Sequence, residues 1–119
     1  MKHIYTAEAP TPGAYSQGVL VNGILYLSGQ TGNDVNLKDE AVVDGGVGSQ
    51  TTQALKNLLA VVRAAGGDVS CFIRLKVFLK DSGSAEARQN DWRSYNEAYK
   101  SFLPSVVLRI FLLGLRFGQ

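Results

Sequence analysis

The sequence predicts a two-layer fold in which two amphipathic helices cover one face of a β-sheet. Three observations support this prediction: an Asn-Gly hairpin signal near the N-terminus, two stretches of helical periodicity, and strand-like runs between and after those stretches. The predicted order of elements is strand, hairpin, helix, strand, helix, strand. Each helix has only one apolar side and therefore needs one packing partner, which a sheet covered on one face supplies.

The N-terminal part is predicted to form a short strand and then a hairpin. Residues 2–6 alternate enough for a first strand, and the connector that follows contains two prolines, which disfavour helix. The hairpin joins the apolar runs 19–21 and 24–27 through Asn22-Gly23. Both turn residues tolerate the positive φ of a type I′ turn, so Asn-Gly between β-prone runs is a strong hairpin signal.

The two flanks of this hairpin predict a ligand site. Residues 14–18 (AYSQG) precede it and residues 28–32 (SGQTG) follow it. Across a two-residue turn both flanks return to the same end of the strand pair, where they gather hydroxyls, a phenol, carboxamides and backbone N–H groups. We therefore expect one wall of a site for a small polar ligand at this end.

A first helix is predicted from about Val47 to Ala65, after a polar surface loop over 33–46 with a short extended piece at 41–43. Gly66-Gly67 then provides a left-handed stop. One stripe at helical spacing is predicted to pack on the sheet: Val47, Thr51, Ala54, Leu55, Leu58, Leu59, Val62 and Ala65. The polar side consists of Gln50, Gln53, Lys56, Asn57 and Arg63.

The next strand is predicted over 71–80, with a fully apolar face opposite a charged and aromatic one. The apolar face, predicted to pack on the helices, is Ile73, Leu75, Val77 and Leu79. The other face is Phe72, Arg74, Lys76, Phe78 and Lys80. Because Phe72 and Phe78 stand among charges on the open face of the sheet, we expect that face to contact another subunit. Cys71 is predicted to be a small buried apolar side chain rather than a nucleophile.

A second helix is predicted from about Asp91, as its N-cap, to Phe102, after a polar connector over 81–90. Its aromatic stripe is predicted to be core rather than a stacking platform for bases: Trp92, Tyr95, Tyr99 and Phe102. Leu103-Pro104 ends this helix, and a last strand is predicted over 106–113. The strongly apolar residues 112–117 must be covered by the domain or by another subunit, or they are an aggregation liability.

The composition is that of one globular domain, and it excludes several classes of site. The 119 residues are 45% hydrophobic, with a net charge of +2 and scattered basic residues, so nucleic acid is not the expected partner. Cys71 is the only cysteine and His3 the only histidine, which argues against a zinc site and a Ser/His/Asp triad. Neither a signal peptide nor a transmembrane stretch is evident, and we expect a cytoplasmic protein without a membrane partner.

Several segments resemble the RidA/YjgF family of reactive-intermediate deaminases, also called the L-PSP translation-inhibitor family. The matching segments follow the family's order over about residues 3–102: Ala9-Pro10, Gly13 to Gly18 (GAYSQG), Leu27 to Gln30 (LSGQ), Gln53 to Gly66 (QALKNLLAVVRAAG), Ile73 to Asp81 (IRLKVFLKD) and Asp91 to Phe102 (DWRSYNEAYKSF). YSQG and SGQ around a hairpin, followed by AAG and VFLKD, form a specific combination. Residues 1–119 are therefore identified as a single RidA/YjgF-like domain with an atypical ending over 103–119.

The resemblance implies an α+β, chorismate-mutase-like fold, with a mixed β-sheet and two helices packed on one face. It also implies a homotrimer in which the sheets line a central barrel and ligand clefts lie between subunits. Family members hydrolyse enamines and imines, such as 2-aminoacrylate, to 2-oxoacids and ammonia, and need no metal or organic cofactor. Tyr15, Ser28, Gly29 and Gln30 match family positions around the substrate, with the Gly29 backbone as a hydrogen-bonding contact.

The C-terminal end departs from the family pattern. The family has a Pro-x-Arg-Ser strand, whose arginine anchors the substrate carboxylate, and then a strand with a glutamate. Here Ser105-Val106 follows Pro104, and no Asp or Glu occurs after Glu97. Arg109 is the nearest candidate for a substitute carboxylate anchor, although a shift by three residues places it on the opposite face of a strand. A divergent terminus and a change of reading frame both fit this ending.

Three functions remain open from the sequence. The first is an imine and enamine deaminase, which the resemblance implies. The second is a non-catalytic binder or sensor of small 2-oxoacids, because the family arginine and glutamate are missing. The third is translation inhibition or RNA cleavage, for which the weak net charge and the terminal His3 offer little chemistry.

Overall fold

The computed structural model of the chain describes residues 1–11 and 13–103, and the backbone of 108–115. The predicted α+β class is confirmed. Seven main elements follow one another: β1 (Lys2–Ile4), β2 (Gly18–Val21), β3 (Ile24–Leu27), α1 (Gly46–Ala64), β4 (Arg74–Lys80), α2 (Ala85–Phe102) and β5 (Leu108–Leu115). Two short 3-10 helices, Lys38–Glu40 and Val69–Cys71, lie before α1 and before β4. No helix of the described part has the length and apolar character needed to cross a bilayer.

The described strands pair in two groups. Strands β1, β2 and β3 form an antiparallel sheet with β2 in the centre, whereas β4 and β5 pair in parallel. The hairpin prediction is confirmed, because Val21 pairs with Ile24 across Asn22 and Gly23. Both turn residues have the positive φ of a type I′ turn, 49° and 78°. The tight turn brings the two hairpin flanks to one end of the sheet, as predicted.

Helix α1 takes part in both apolar clusters of the described core. The larger cluster joins α1 to α2 and contains Leu55, Leu59, Val62, Phe72, Tyr95, Tyr99 and Leu103. The smaller one joins α1 to the N-terminal segment and contains Ile4, Ala9 and Val61. The aromatic stripe of α2 is therefore core, as predicted, with Tyr95 and Tyr99 buried and their ring centroids 5.9 Å apart.

The prediction for the start of α2 is wrong. The helix begins at Ala85, and its N-cap is Ser84, whose hydroxyl accepts a hydrogen bond from the Ala87 N–H at 3.1 Å. Asp81 stabilises the same region, because its carboxylate lies 2.8 Å from Arg88 Nη1. Residues 85–90 (AEARQN) have the polar composition of a connector, but the exposed first turns of a surface helix have the same composition.

The alternation predicted for the strand at 71–80 holds only from Arg74 onwards. Leu75, Val77 and Leu79 face inwards while Arg74, Lys76, Phe78 and Lys80 face outwards. Before it, Val69–Cys71 form a 3-10 turn, which changes the side-chain period from two to three. Phe72 therefore lies in the core, Ile73 is 75% exposed, and Cys71 is exposed rather than buried.

Asp68 caps this 3-10 turn. Its carboxylate accepts a hydrogen bond from the Val69 N–H at 2.8 Å, and Arg63 Nε lies 3.2 Å from the same oxygen. The Val69 N–H, followed by Arg63, holds the pKa of the Asp68 carboxyl below its ordinary value. The capped turn forms the last part of the connection between α1 and β4, and the thiol of Cys71 lies on the surface.

Strand β5 begins two residues later than predicted, and Val106 lies outside the described residues. Its parallel pairing with β4 sets Arg109 opposite Leu75 and Ile110 opposite Lys76. Parallel neighbours require a crossover, and α2 provides it.

Candidate ligand site

A cleft lies where the two hairpin flanks come together, at the position predicted from the sequence. It has a volume of about 560 Å³. Its described lining consists of Pro10, Thr11, Tyr15, Gly29, Gln30, Thr31, Asn33, Asp39 and Glu40. Three of the four predicted substrate-binding residues, Tyr15, Gly29 and Gln30, thus line one cavity. Its size suits a small polar molecule.

Ser28, the fourth predicted residue, connects the two flanks rather than lining the cleft. Its hydroxyl donates to the Ser16 carbonyl at 2.5 Å, and its N–H donates to the Gln17 carbonyl at 3.0 Å. These two bonds extend the hairpin pairing beyond Gly18 and Leu27. Ser28 therefore fixes the position of Gly29 relative to the segment that carries Tyr15.

Arg109, the candidate carboxylate anchor, belongs to β5, which pairs only with β4 in the described structure. Its side chain lies outside the described part. The cleft itself is built on the other sheet, by residues that flank β2 and β3.

Buried Gln17 holds the proline-containing wall of the cleft. Its side chain is 1% exposed, and Nε2 donates to the carbonyls of Thr6 and Pro10, at 3.0 Å each. Its Oε1 accepts from the Thr6 N–H at 2.7 Å. Residues 6–10 have no regular secondary structure, and the buried Gln17 amide supplies hydrogen bonds to their backbone. These bonds fix the position of Pro10 in the cleft.

Buried Asn57 holds the opposite wall. Its Nδ2 donates to the carbonyls of Thr31 and Asn33, at 3.1 and 2.8 Å, and its Oδ1 accepts from Gln53 Nε2 at 2.9 Å. The sequence pattern predicted Asn57 on the polar, solvent side of α1. It is instead 1% exposed, because the loop after β3 covers it.

Gly32 allows this loop to approach α1. A Cβ built at Gly32 would lie 2.8 Å from the Cα of Gln50, closer than real Cβ atoms come to backbone. The helix backbone cannot yield, so only glycine fits between Thr31 and Asn33. The wall is therefore set by a close backbone approach on one side and by the Asn57 amide on the other.

Glu40 reaches across the mouth of the cleft to Thr11. Its Oε2 accepts from the Thr11 N–H at 2.8 Å, and its Oε1 accepts from the Thr11 hydroxyl at 2.7 Å. Glu40 and its neighbour Asp39 both have left-handed backbone angles, with φ of 49° and 56°. Such angles are uncommon for residues other than glycine and are found at sites where the surrounding structure imposes them.

The described lining is polar and acidic. It offers the Tyr15 phenol, the Gln30 and Asn33 carboxamides and the hydroxyls of two threonines, while its formal charges come from Asp39 and Glu40. No lysine, arginine or histidine is among the described lining residues. Across the described ranges, no group of three or more His, Cys, Asp or Glu side chains is placed to hold a metal ion. These groups can orient a ligand by hydrogen bonds, but the described wall brings no positive charge for an anion.

Sequence reasoning missed five lining residues and one supporting residue. They are Pro10, Thr11, Asn33, Asp39, Glu40 and Asn57. The loop that carries Asp39 and Glu40 has an ordinary polar composition, so its place in the cleft depends on the contact of Glu40 with Thr11. Asn57 lies outside the predicted apolar stripe of the helix, so the helical pattern gave no signal of its burial.

The chain matches the family model described as endoribonuclease L-PSP over residues 6–108. It is 41% identical over 102 residues to a rat protein and 40% identical over 103 residues to a human protein, both named 2-iminobutanoate/2-iminopropanoate deaminase. These matches cover 85% and 86% of the chain, and 68% and 69% of the relatives.

Solved structures give the same result. RidA from an Antarctic Psychrobacter bacterium superimposes with a TM-score of 0.81 at 29% identity, covering 94% of this chain and 85% of that one. The E. coli YjgF gene product superimposes with a TM-score of 0.80 at 30% identity, covering 94% and 84%. E. coli TdcF, solved with bound serine, has a TM-score of 0.79 at 30% identity, with coverage of 94% and 84%. The chain therefore belongs to the RidA/YjgF family, whose family model carries the name endoribonuclease L-PSP.

Proposed function

We propose that this protein hydrolyses small imines and enamines derived from amino acids, giving the 2-oxoacid and ammonia. The observation that supports this best is the convergence of Tyr15, Gly29 and Gln30 on one cleft of about 560 Å³. The names of the rat and human relatives, 2-iminobutanoate/2-iminopropanoate deaminase, point to the same reaction. The proposed substrates are therefore 2-imino acids with short apolar side chains, including the imine tautomer of 2-aminoacrylate.

The reaction needs little beyond orientation and hydrogen bonding. Water adds to the imine carbon, the electron pair of the C=N bond moves to nitrogen, and nitrogen takes up a proton. The resulting carbinolamine loses ammonia as its C–O bond becomes a carbonyl, so one water is consumed and one ammonia is released. Because the imine is already electrophilic, holding substrate and water together accounts for much of the acceleration.

Each predicted residue has a proposed part in this scheme. The Gly29 N–H and the Gln30 carboxamide bind substrate oxygens, and the Tyr15 phenol orients the attacking water. Ser28 acts by holding Gly29 in place through its bonds to the opposite flank.

The substrate carboxylate requires a positive partner that the described lining does not contain. We propose that it comes from β5, with Arg109 as the candidate, through assembly of a homotrimer with clefts between subunits. Exposed apolar side chains support such an assembly, three of them on strands and Ile73 directly before β4: Ile24, Tyr26, Ile73 and Phe78. Sedimentation analysis tests the trimer, and a monomer at all concentrations would refute it.

The activity is tested by generating 2-aminoacrylate with a dehydratase in the presence of semicarbazide, which traps the imine. An active protein hydrolyses the imine before it is trapped, so semicarbazone formation falls as protein is added. Semicarbazone formation equal to that with buffer or with heat-denatured protein would refute the proposal.

The described lining contains no lysine, arginine or histidine, and this favours a second candidate, a non-catalytic binder that holds small 2-oxoacids by hydrogen bonds alone. Calorimetry with 2-oxobutyrate and the trapping assay together separate the two candidates. A non-catalytic binder binds 2-oxobutyrate in the calorimeter but leaves semicarbazone formation unchanged. RNA cleavage is a separate outcome, measured with a labelled single-stranded RNA. His3, the single histidine of the sequence, has its Nδ1 2.6 Å from Ser16 Oγ, and one imidazole supplies only one of the two groups, a general base and a general acid, that RNA cleavage uses.

A further inference from the structure

We infer that Glu40 is a positioning residue that ties the two walls of the cleft together and so sets the affinity for the substrate. The inference rests on the function proposed above and assigns that site a residue which sequence reasoning did not identify. Glu40 acts through Thr11 and not on the reacting atoms.

The side chain of Glu40 makes two hydrogen bonds that join the described loop 37–40 to the proline-containing wall. Both of its carboxylate oxygens are engaged by Thr11, one by the N–H at 2.8 Å and the other by the hydroxyl at 2.7 Å. The two residues are 29 positions apart in the chain, so this contact closes a long loop around the cleft. Hydrogen bonds to an ionised acceptor are stronger than neutral ones.

The backbone of Glu40 is anchored to the opposite wall. Its carbonyl accepts from Asn33 Nδ2 at 2.8 Å, and its N–H donates to the Leu37 carbonyl at 3.0 Å. Its left-handed φ of 49° points the side chain away from the turn and towards Thr11. Backbone strain of this kind, held by hydrogen bonds to both walls, is typical of residues at functional sites.

Each wall is also fixed from inside the protein. Gln17 holds Pro10, the neighbour of Thr11, and Asn57 holds Asn33, the backbone partner of Glu40. A series of hydrogen bonds therefore surrounds the cleft and joins, in order, Gln17, Pro10-Thr11, Glu40, Asn33 and Asn57. In this series the contact between Glu40 and Thr11 is the exposed one. Loss of that contact widens the mouth while the two buried amides keep each wall folded.

The same geometry argues against Glu40 as the proton carrier of the reaction. Both of its oxygens are already engaged by Thr11, which holds the carboxylate against the wall of the cleft. Glu40→Gln should accordingly raise KM about fivefold and leave kcat within about twofold, because one of two charge-assisted bonds is lost. The pH profile of kcat should keep its shape. Thr11→Val, which removes only the hydroxyl, should raise KM in the same direction.

A matched control and a second measurement make the test independent of catalysis. Glu86→Gln removes an exposed carboxylate from the first turn of α2, away from the cleft, and should leave KM unchanged. Amide exchange of Thr11, whose N–H is bonded to Glu40, should be about tenfold faster in Glu40→Ala than in the wild type.

Raised KM with retained kcat and faster Thr11 exchange supports the inference. A collapse of kcat with an altered pH profile overturns it, since Glu40 would then move a proton. Unchanged KM and unchanged Thr11 exchange overturn it as well. If the wild type binds 2-oxobutyrate without turnover, the proposed activity fails while the inference is still tested, because the Kd of 2-oxobutyrate replaces KM. A raised Kd in Glu40→Gln then supports it, and an equal Kd overturns it.

Discussion

Thr6 and Gln17 exchange two hydrogen bonds, one from the Thr6 N–H to Gln17 Oε1 and one from Gln17 Nε2 to the Thr6 carbonyl. The Gln17 amide thus pairs with the Thr6 backbone in the way that a neighbouring strand would, just after the end of β1. The same Nε2 reaches Pro10 at the cleft. One buried side chain therefore couples the antiparallel sheet to a wall of the candidate site.

Gln17→Ala should lower the free energy of unfolding by about 2–3 kcal/mol, because half-buried backbone groups of Thr6 and Pro10 would lose their partner. Urea denaturation measures this value. Gln89→Ala, at an exposed position of α2, is the matched control and should change stability by less than about 0.5 kcal/mol. Equal effects of the two substitutions would show that the Gln17 bonds do not stabilise the fold.

Gly18→Ala should destabilise the packing of the hairpin on α1. A Cβ at Gly18 would lie 3.0 Å from Val61 Cγ1, and Val61 is fully buried. Overpacking of this kind costs about 1–3 kcal/mol. Gly13→Ala is the control, since nothing lies within 4 Å of a Cβ at that position.

A double-mutant cycle identifies the cause of the Gly18→Ala effect. If the added methyl clashes with Val61, the double variant with Val61→Ala should be more stable than the sum of the two single losses predicts. Strict additivity in chemical denaturation would mean that the clash is relieved elsewhere.

Asn57→Ala should weaken the ligand site and the fold together. The carbonyls of Thr31 and Asn33 would lose their donor, which we expect to cost about 2–3 kcal/mol of stability. The cleft loop would also loosen, so the Kd for 2-oxobutyrate should rise. Asn90→Ala on the exposed part of α2 should alter neither value. If Asn57→Ala lowers stability but leaves the Kd for 2-oxobutyrate unchanged, Asn57 supports the fold and not the ligand site.

The hairpin and the aromatic stripe could be predicted from the sequence because each depends on local rules. Asn22-Gly23 needs only its own backbone preferences, and Tyr95 and Tyr99 need only helical spacing. The start of α2 was missed because Asp91 and Ser84 are both good caps, and only the fold selects between them. Local signals thus fix what an element is more reliably than where it begins.

The candidate site could be predicted only in part, for a related reason. Tyr15, Gly29 and Gln30 lie next to a hairpin whose geometry sends them to one place. Glu40 reaches Thr11 across 29 residues, and no local pattern carries that contact. Phe72 and Cys71 exchanged their expected environments because a single 3-10 turn shifted the register of the residues before β4.

The central claim is that the cleft beside the hairpin carries out imine hydrolysis, and Tyr15 tests it most directly. Tyr15 and Tyr5 are both exposed, 57% and 64%, but only Tyr15 lines the cleft. The measurement is kcat/KM for 2-aminoacrylate hydrolysis in wild type, Tyr15→Phe and Tyr5→Phe, each of which loses only a hydroxyl. We expect Tyr15→Phe to lower kcat/KM about tenfold, the value of one hydrogen bond, and Tyr5→Phe to match the wild type. Equal kcat/KM for all three proteins would contradict the account.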